Sequence, residues 1–171
     1  SIASFDVASL LVGMENLSIA LRLEPDIVHT LLTKINRFLI RFIEARIEYF
    51  GADSVPMLDL YGDNAGYITP EDFTEFVIPY NKEIYDYFAD NDTVKLYHCD
   101  GPLSQHLNLI PDMGCNCLYS FDPAADLNKF VEIIGNKVCL VGNLDPIRVL
   151  RNGTPDVVRE EVKRLLVAGK K

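Results

Sequence analysis

The stretch V-K-L-Y-H-C-D-G at residues 94–101 begins like a buried β-strand and ends in reactive side chains, His98, Cys99 and Asp100. Three other short apolar runs also end in polar residues: Asp63 follows 55–60, Asp122 follows 115–120, and Asn143 and Asp145 follow 137–142. In parallel α/β folds, the carboxyl ends of the strands form the edge where binding and catalytic residues collect. The pattern therefore predicts a parallel sheet with a site at that edge.

Helical segments separate these strands. The longest starts at Pro25 and ends before Gly51, with apolar residues at helical spacing: Ile27, Leu31, Ile35, Phe38, Phe42 and Ile43. Thr69-Pro70 and Thr154-Pro155 are typical helix starts, and further helices are predicted at 103–113, 126–134 and 145–150. A first strand is predicted near Ile2–Phe5. This alternation implies right-handed crossovers and a sheet covered on both faces.

Composition narrows the class of protein. The 171 residues fit one domain, and 49% hydrophobic residues allow a substantial core. A formal net charge of -9 argues against nucleic acid and anionic membranes as partners. There is no signal peptide pattern and no apolar run of about 20 residues. The four cysteines have no disulfide-framework spacing, so we expect a cytoplasmic protein in which Cys115, Cys117 and Cys139 are buried apolar residues.

Three segments resemble the uroporphyrinogen decarboxylase family: G-A-D-S-V-P-M-L-D-L-Y-G-D-N-A-G-Y-I-T-P-E-D-F-T-E-F-V-I-P-Y (51–80), H-C-D-G (98–101), and the stretch from K-V-C-L-V-G-N-L-D-P onward (137–162). The resemblance implies a TIM (β/α)8 barrel, which typically needs about 250 residues. By comparison with the family, the strands of this chain correspond to the third to the seventh. We therefore expect a single domain over residues 1–171, incomplete at both ends.

The resemblance implies two kinds of enzyme. Some members decarboxylate uroporphyrinogen in tetrapyrrole biosynthesis without a cofactor, and others use a bound zinc to move methyl groups from corrinoid proteins to thiols. The decarboxylases carry a hydroxyl residue where this chain has Asp63 and a tyrosine where it has Leu10. The leading prediction is therefore a corrinoid-linked methyltransferase relative with a thiol or folate-like acceptor. The alternatives are the decarboxylase and a non-catalytic barrel fragment that binds a ligand or a partner.

The candidate site follows from strand geometry. Side chains alternate along a strand, so His98 and Asp100 face the same way and Cys99 faces the other. The zinc methyltransferases of the family have His-x-Cys here, so the resemblance suggests His98 and Asp100 as metal ligands. A carboxylate can bind zinc, although it is a harder ligand than a thiolate. The alternative for His98 is a hydrogen bond to a neighbouring loop without a metal.

The remaining site predictions concern the other strand ends. Asp63, His98 and Asp100 are the predicted catalytic residues, and Asp122, Asn143 and Asp145 are predicted to bind a small-molecule or tetrapyrrole-type substrate. The alternatives are a turn residue for Asp63 and a helix start for Asp145-Pro146. We expect a corrinoid protein as partner of the methyltransferase. Exposed sheet edges should also make the isolated chain self-associate, and we expect it to be inactive alone.

Overall fold

Four parallel strands form one sheet in the order in which they occur in the chain. The computed structural model describes residues 1–88, 93–122 and 125–170. The strands are β1 (Met57–Tyr61), β2 (Val94–His98), β3 (Cys117–Tyr119) and β4 (Cys139–Val141). Tyr61, His98, Tyr119 and Val141 pair in register across the four strands. The carboxyl ends of the strands therefore meet at one edge, as the sequence predicted.

Helices precede and separate the strands. The α-helices are α1 (Ser4–Val12), α2 (Met14–Leu23), α3 (Pro25–Phe50), α4 (Pro70–Phe76), α5 (Ile78–Phe88), α6 (Leu127–Ile134) and α7 (Pro155–Ala168). Shorter 3₁₀ segments lie at Ala52–Ser54, Asn64–Tyr67 and Leu107–Met113, and a π-helical turn spans Pro146–Arg151. The predicted caps are confirmed at Thr69 and Thr154, whose hydroxyls accept backbone N–H groups of the first turn.

The two faces of the sheet have different surroundings. Leu60, Tyr97 and Leu118 are buried in the main core with residues of the helices. Because side chains alternate along a strand, His98 lies on the opposite face, beside Tyr61 and Tyr119. Both tyrosines are partly exposed, so this second face is accessible at the end where the strands finish.

The N-terminal prediction was wrong. Instead of a strand over Ile2–Phe5, a single parallel bridge joins Ile2 to Tyr61, and α1 starts at Ser4. The bridge places Ser1 and Ala3 in backbone hydrogen bonds with Tyr61, so the chain begins beside β1 and turns at once into a helix.

The core face of α3 also differs from the prediction. Ile35 and Ile43 are buried as expected, but Ile27, Phe38 and Phe42 are exposed. The helix buries a neighbouring stripe instead, made of Val28, Leu32, Ile35, Asn36, Leu39, Ile40 and Ile43. The long helix carries apolar residues on more than one stripe, so its periodicity alone does not say which stripe meets the core.

The prediction of buried cysteines holds for Cys115 and Cys117 and is wrong for Cys139. Cys99, Cys115 and Cys117 are buried, whereas Cys139 on β4 is exposed. Because the strand order places β4 last in the sheet, one side of β4 has no neighbouring strand among the described residues.

Among the described residues, no single helix is both long and apolar enough to cross a bilayer. The pair α1 and α2 meets that test only when taken together, and the two helices are bent by 108° relative to each other.

Candidate metal centre

His98 is the last residue of β2 and lies at the centre of the site. Its side chain is 13% exposed. The rings of Tyr61 and Tyr119, on the two neighbouring strands, lie 4.8 and 5.4 Å from the imidazole, measured between centroids. These two contacts hold the ring between them, while Nδ1 is buried and has no hydrogen-bond partner among the described residues. The Nε2 atom faces the two nearby carboxylates.

Asp100 lies on the same side of the chain as His98, as strand geometry predicts. Its Oδ2 atom is 3.6 Å from His98 Nε2. Cys99 faces the opposite way and is fully buried, and this burial raises the pKa of its thiol to about 12. The thiol is therefore kept neutral and away from the site.

Asp63 brings the second carboxylate from the loop after β1. Its Oδ1 atom is 3.7 Å from His98 Nε2 and accepts a hydrogen bond from the backbone N–H of Asp100 at 2.8 Å. The two loops approach so closely that a Cβ on Gly101 would lie 2.4 Å from the carbonyl oxygen of Asp63. A glycine at 101 is thus what allows the carboxylates of Asp63 and Asp100 to meet.

Two residues that sequence reasoning missed support these carboxylates. Ser120, directly after β3, donates a hydrogen bond from Oγ to Asp100 Oδ1 at 2.9 Å. Asp6 on α1 accepts the backbone N–H of Asn64 at 2.8 Å and so anchors the turn that carries Asp63. Burial raises the pKa of Asp6 to about 6. An acidic residue inside the apolar run at 2–8 could have been noticed, but nothing in the sequence singled out Ser120.

The donor set fits a divalent cation. Asp63, His98 and Asp100 each offer one ligand atom, and these atoms lie within 4.8 Å of one another. Two ligand atoms bound to one tetrahedral zinc ion at about 2.0–2.2 Å lie about 3.4 Å apart. The two distances from His98 Nε2, 3.6 and 3.7 Å, are close to that value. Three protein ligands leave a position open for a further ligand, which is the arrangement of catalytic rather than structural sites.

The other predicted site residues are engaged in local structure. Asp122 accepts, through its backbone carbonyl, a hydrogen bond from the buried side-chain amide of Asn143 at 2.7 Å. Asp145 caps the π-helical turn by accepting the N–H groups of Ile147 and Arg148. The Arg148 N–H is the main cause of the lowered pKa of Asp145. Substrate binding by Asp122, Asn143 and Asp145 stays a prediction.

These observations define the class: an α/β protein built from consecutive parallel βα units, with a candidate metal centre at the carboxyl edge of its sheet. The family model for uroporphyrinogen decarboxylase (URO-D) matches residues 1–171. The chain therefore belongs to the uroporphyrinogen decarboxylase family, as the sequence motifs indicated.

Relatives of both enzymatic kinds are found. The chain is 30% identical over 164 residues to a uroporphyrinogen decarboxylase of Chlorobium luteolum, covering 90% of this chain and 43% of that protein. It is 34% identical over 146 residues to the methylcobamide:CoM methyltransferase MtbA of Methanosarcina mazei, covering 84% of this chain and 41% of that protein. The chain thus spans less than half the length of these relatives.

A solved structure supports the fold assignment. A methyltransferase from Methanosarcina mazei superposes with a TM-score of 0.83 at 21% sequence identity, covering 98% of this chain and 48% of that one. The predicted fold class is confirmed: the chain forms part of a (β/α)8 barrel of the uroporphyrinogen decarboxylase type.

Proposed function

We propose that this chain belongs to a metal-dependent methyltransferase that moves a methyl group from a corrinoid protein to a thiol acceptor. The observation that carries the proposal is the convergence of Asp63, His98 and Asp100 at one point of the sheet edge. A site for decarboxylation of a pyrrole side chain needs no such convergence of imidazole and carboxylates. The name of the relative MtbA, methylcobamide:CoM methyltransferase, supplies the donor and acceptor classes.

Each residue has a role in this chemistry. His98 Nε2 and the carboxylates of Asp63 and Asp100 would hold the cation. When bound, the metal lowers the pKa of a coordinated thiol so that it is a nucleophile near neutral pH. Tyr61 and Tyr119, packed against the two sides of the His98 ring, limit its movement and keep Nε2 directed at the carboxylates.

Where the zinc methyltransferases of the family have His-x-Cys, this chain has His98-x-Asp100, and the change from thiolate to carboxylate affects which cations bind. Two carboxylates bring two negative charges to the cation, and they are harder donors than thiolates. We therefore expect a wider range of divalent cations to bind than at a thiolate-rich zinc site, with Mn²⁺ and Co²⁺ competing with Zn²⁺.

A second candidate function is uroporphyrinogen decarboxylation. It is favoured by the Chlorobium luteolum relative, which is 30% identical over 90% of this chain. In that function Asp63 or Asp100, both with side chains more than half exposed, would accept hydrogen bonds from pyrrole N–H groups and stabilise a protonated ring. His98 would then have no role in binding a cation.

Metal titration separates the two functions. Zn²⁺ binding to the full-length protein is measured by calorimetry for the wild type, His98→Ala and His29→Ala. His29 is a matched control because it lies on α3 and bonds Tyr80 and Glu75 instead of the cluster. We expect about one site per chain, lost in His98→Ala and kept in His29→Ala.

Activity assays on the full-length protein complete the test. Methyl transfer from methylcobalamin to a thiol is followed by the change in cobalamin absorbance, and it should require both His98 and a divalent cation. A chain without stoichiometric metal binding, together with metal-independent turnover of uroporphyrinogen by the full-length protein, would overturn the proposal in favour of the decarboxylase.

A further inference from the structure

Ser120 has an unusual backbone conformation for its residue type. Its φ angle is +52°, in the left-handed region. The other described residues with positive φ are all glycines: Gly13, Gly51, Gly114 and Gly142. A side chain in this region is disfavoured by contact between Cβ and the backbone, so the conformation is kept only where the surroundings compensate for it.

The surroundings of Ser120 show what the conformation achieves. The backbone N–H of Ser120 donates to the carbonyl oxygen of Val141 at 3.1 Å, which continues the pairing of β3 with β4. Its side-chain hydroxyl donates a hydrogen bond to Asp100 Oδ1, in the loop after β2, at 2.9 Å. Glycine would satisfy the same backbone geometry without strain, but it has no hydroxyl to offer.

The two carboxylate oxygens of Asp100 have different neighbours. Oδ1 is occupied by the Ser120 hydroxyl, while Oδ2 is the oxygen near His98 Nε2, at 3.6 Å. The side chain of Asp100 is 64% exposed, so few packing contacts restrain its rotation. Among the described residues, the Ser120 hydroxyl is the side-chain donor that holds one oxygen of Asp100, and it thereby sets the rotation that brings the other oxygen near the imidazole.

We propose that Ser120 is a positioning residue, held in a strained backbone conformation so that its hydroxyl orients Asp100 Oδ2 toward the site. This inference rests on the proposed metal-dependent function. A hydrogen bond to a ligating carboxylate from outside the ligand set typically contributes about 10–100-fold to metal affinity. Ser120 is not one of the candidate ligands, so it would act only through Asp100.

Four variants separate positioning from a structural role. Ser120→Gly removes the hydroxyl and relieves the backbone strain, while Ser120→Ala removes the hydroxyl and keeps the strain. Ser120→Asn offers a rescue, because asparagine tolerates the left-handed region and its amide can donate to Asp100. Ser18→Ala is the matched control, since the Ser18 hydroxyl donates to the backbone carbonyl of Met14 on α2, away from the cluster.

The experiment measures Zn²⁺ affinity by calorimetry and Tm by circular dichroism for each variant. We expect Ser120→Gly and Ser120→Ala to lose about 10-fold or more in affinity. The Tm of Ser120→Gly should equal or exceed that of the wild type, whereas a purely structural role would lower it. Ser120→Asn should recover part of the affinity, and Ser18→Ala should bind like the wild type.

Two outcomes would overturn the inference. Unchanged affinity in both Ser120→Gly and Ser120→Ala, with a wild type that binds, refutes positioning and leaves the metal proposal standing. If the wild type binds no metal, the proposed function fails, and crystal structures of the wild type and Ser120→Ala decide this inference separately. An Asp100 side chain with the same orientation in both would refute it.

Discussion

Gly101→Ala is the substitution that most directly tests how the site is assembled. The added Cβ would lie 2.4 Å from the Asp63 carbonyl oxygen, whereas an ordinary contact begins near 3.4 Å, so the two loops must separate by about 1 Å. The hydrogen bond from the Asp100 N–H to Asp63 Oδ1 would then lengthen from 2.8 Å to about 3.8 Å and break.

The expected cost follows from these two changes. Overpacking of this kind costs about 1–3 kcal/mol, and loss of a hydrogen bond to a charged group costs about 1.5–3 kcal/mol when it is buried. Because the Asp63 side chain is 52% exposed, water replaces part of the lost bond. We therefore expect a loss of about 2–3 kcal/mol in the free energy of unfolding, or about 4–12 °C in Tm.

The assay combines urea unfolding with Zn²⁺ calorimetry. Metal affinity should fall by about 10–100-fold because the two carboxylates no longer converge. Gly169→Ala is the control, since its Cβ would lie 3.5 Å from the nearest atom and its φ is -75°. A Gly101→Ala protein with wild-type Tm and wild-type metal affinity would show that the close approach of the loops does not build the site.

Two further predictions follow from burial. Burial raises the pKa of Asp6 from 3.8 to about 6, which means that the folded protein binds the carboxyl proton more tightly than the unfolded chain does. The stabilisation that this provides is full below pH 4 and is lost as the pH rises through about 6. In the wild type the free energy of unfolding should therefore fall by up to about 3 kcal/mol between pH 4 and 7, and Asp6→Asn should remove this fall. Urea unfolding at several pH values measures it, and the same dependence on pH in both proteins would contradict the prediction. Iodoacetamide followed by peptide mass mapping should label exposed Cys139 first, because burial raises the pKa of Cys99 and Cys115 to about 12. Labelling of Cys99 in the native protein as fast as Cys139 would be the contrary result.

The elements with strong local signals were predicted from the sequence. Pro25 and Gly51 bound α3 as expected, and Thr69 caps α4. The shared orientation of His98 and Asp100 also followed from the two-residue period of a strand. Each of these features is determined by residues close together in the sequence, so the sequence alone is enough to predict it.

The predictions that were wrong, and the features that were missed, depend on tertiary contacts between distant parts of the chain. Phe38 and Phe42 fit a helical stripe, but the tertiary structure buries a different one. Cys139 lies on β4, the last strand of the sheet among the described residues, and its exposure depends on what covers that part of the sheet. The contribution of Ser120 depends on a backbone angle that serine rarely adopts, so no propensity argument would have placed its hydroxyl on Asp100.

The three candidate ligands lie within one segment of the chain. Asp63, His98 and Asp100 all belong to one βαβ unit, which runs from the start of β1 to the loop after β2. A recombination event that exchanged this one unit between barrel proteins would carry all three candidate ligands with it, whereas the groups that support them from outside the unit, Asp6, Tyr119 and Ser120, would have to come from the recipient. The same segment could be grafted by design onto another parallel barrel to transfer the three candidate ligands together.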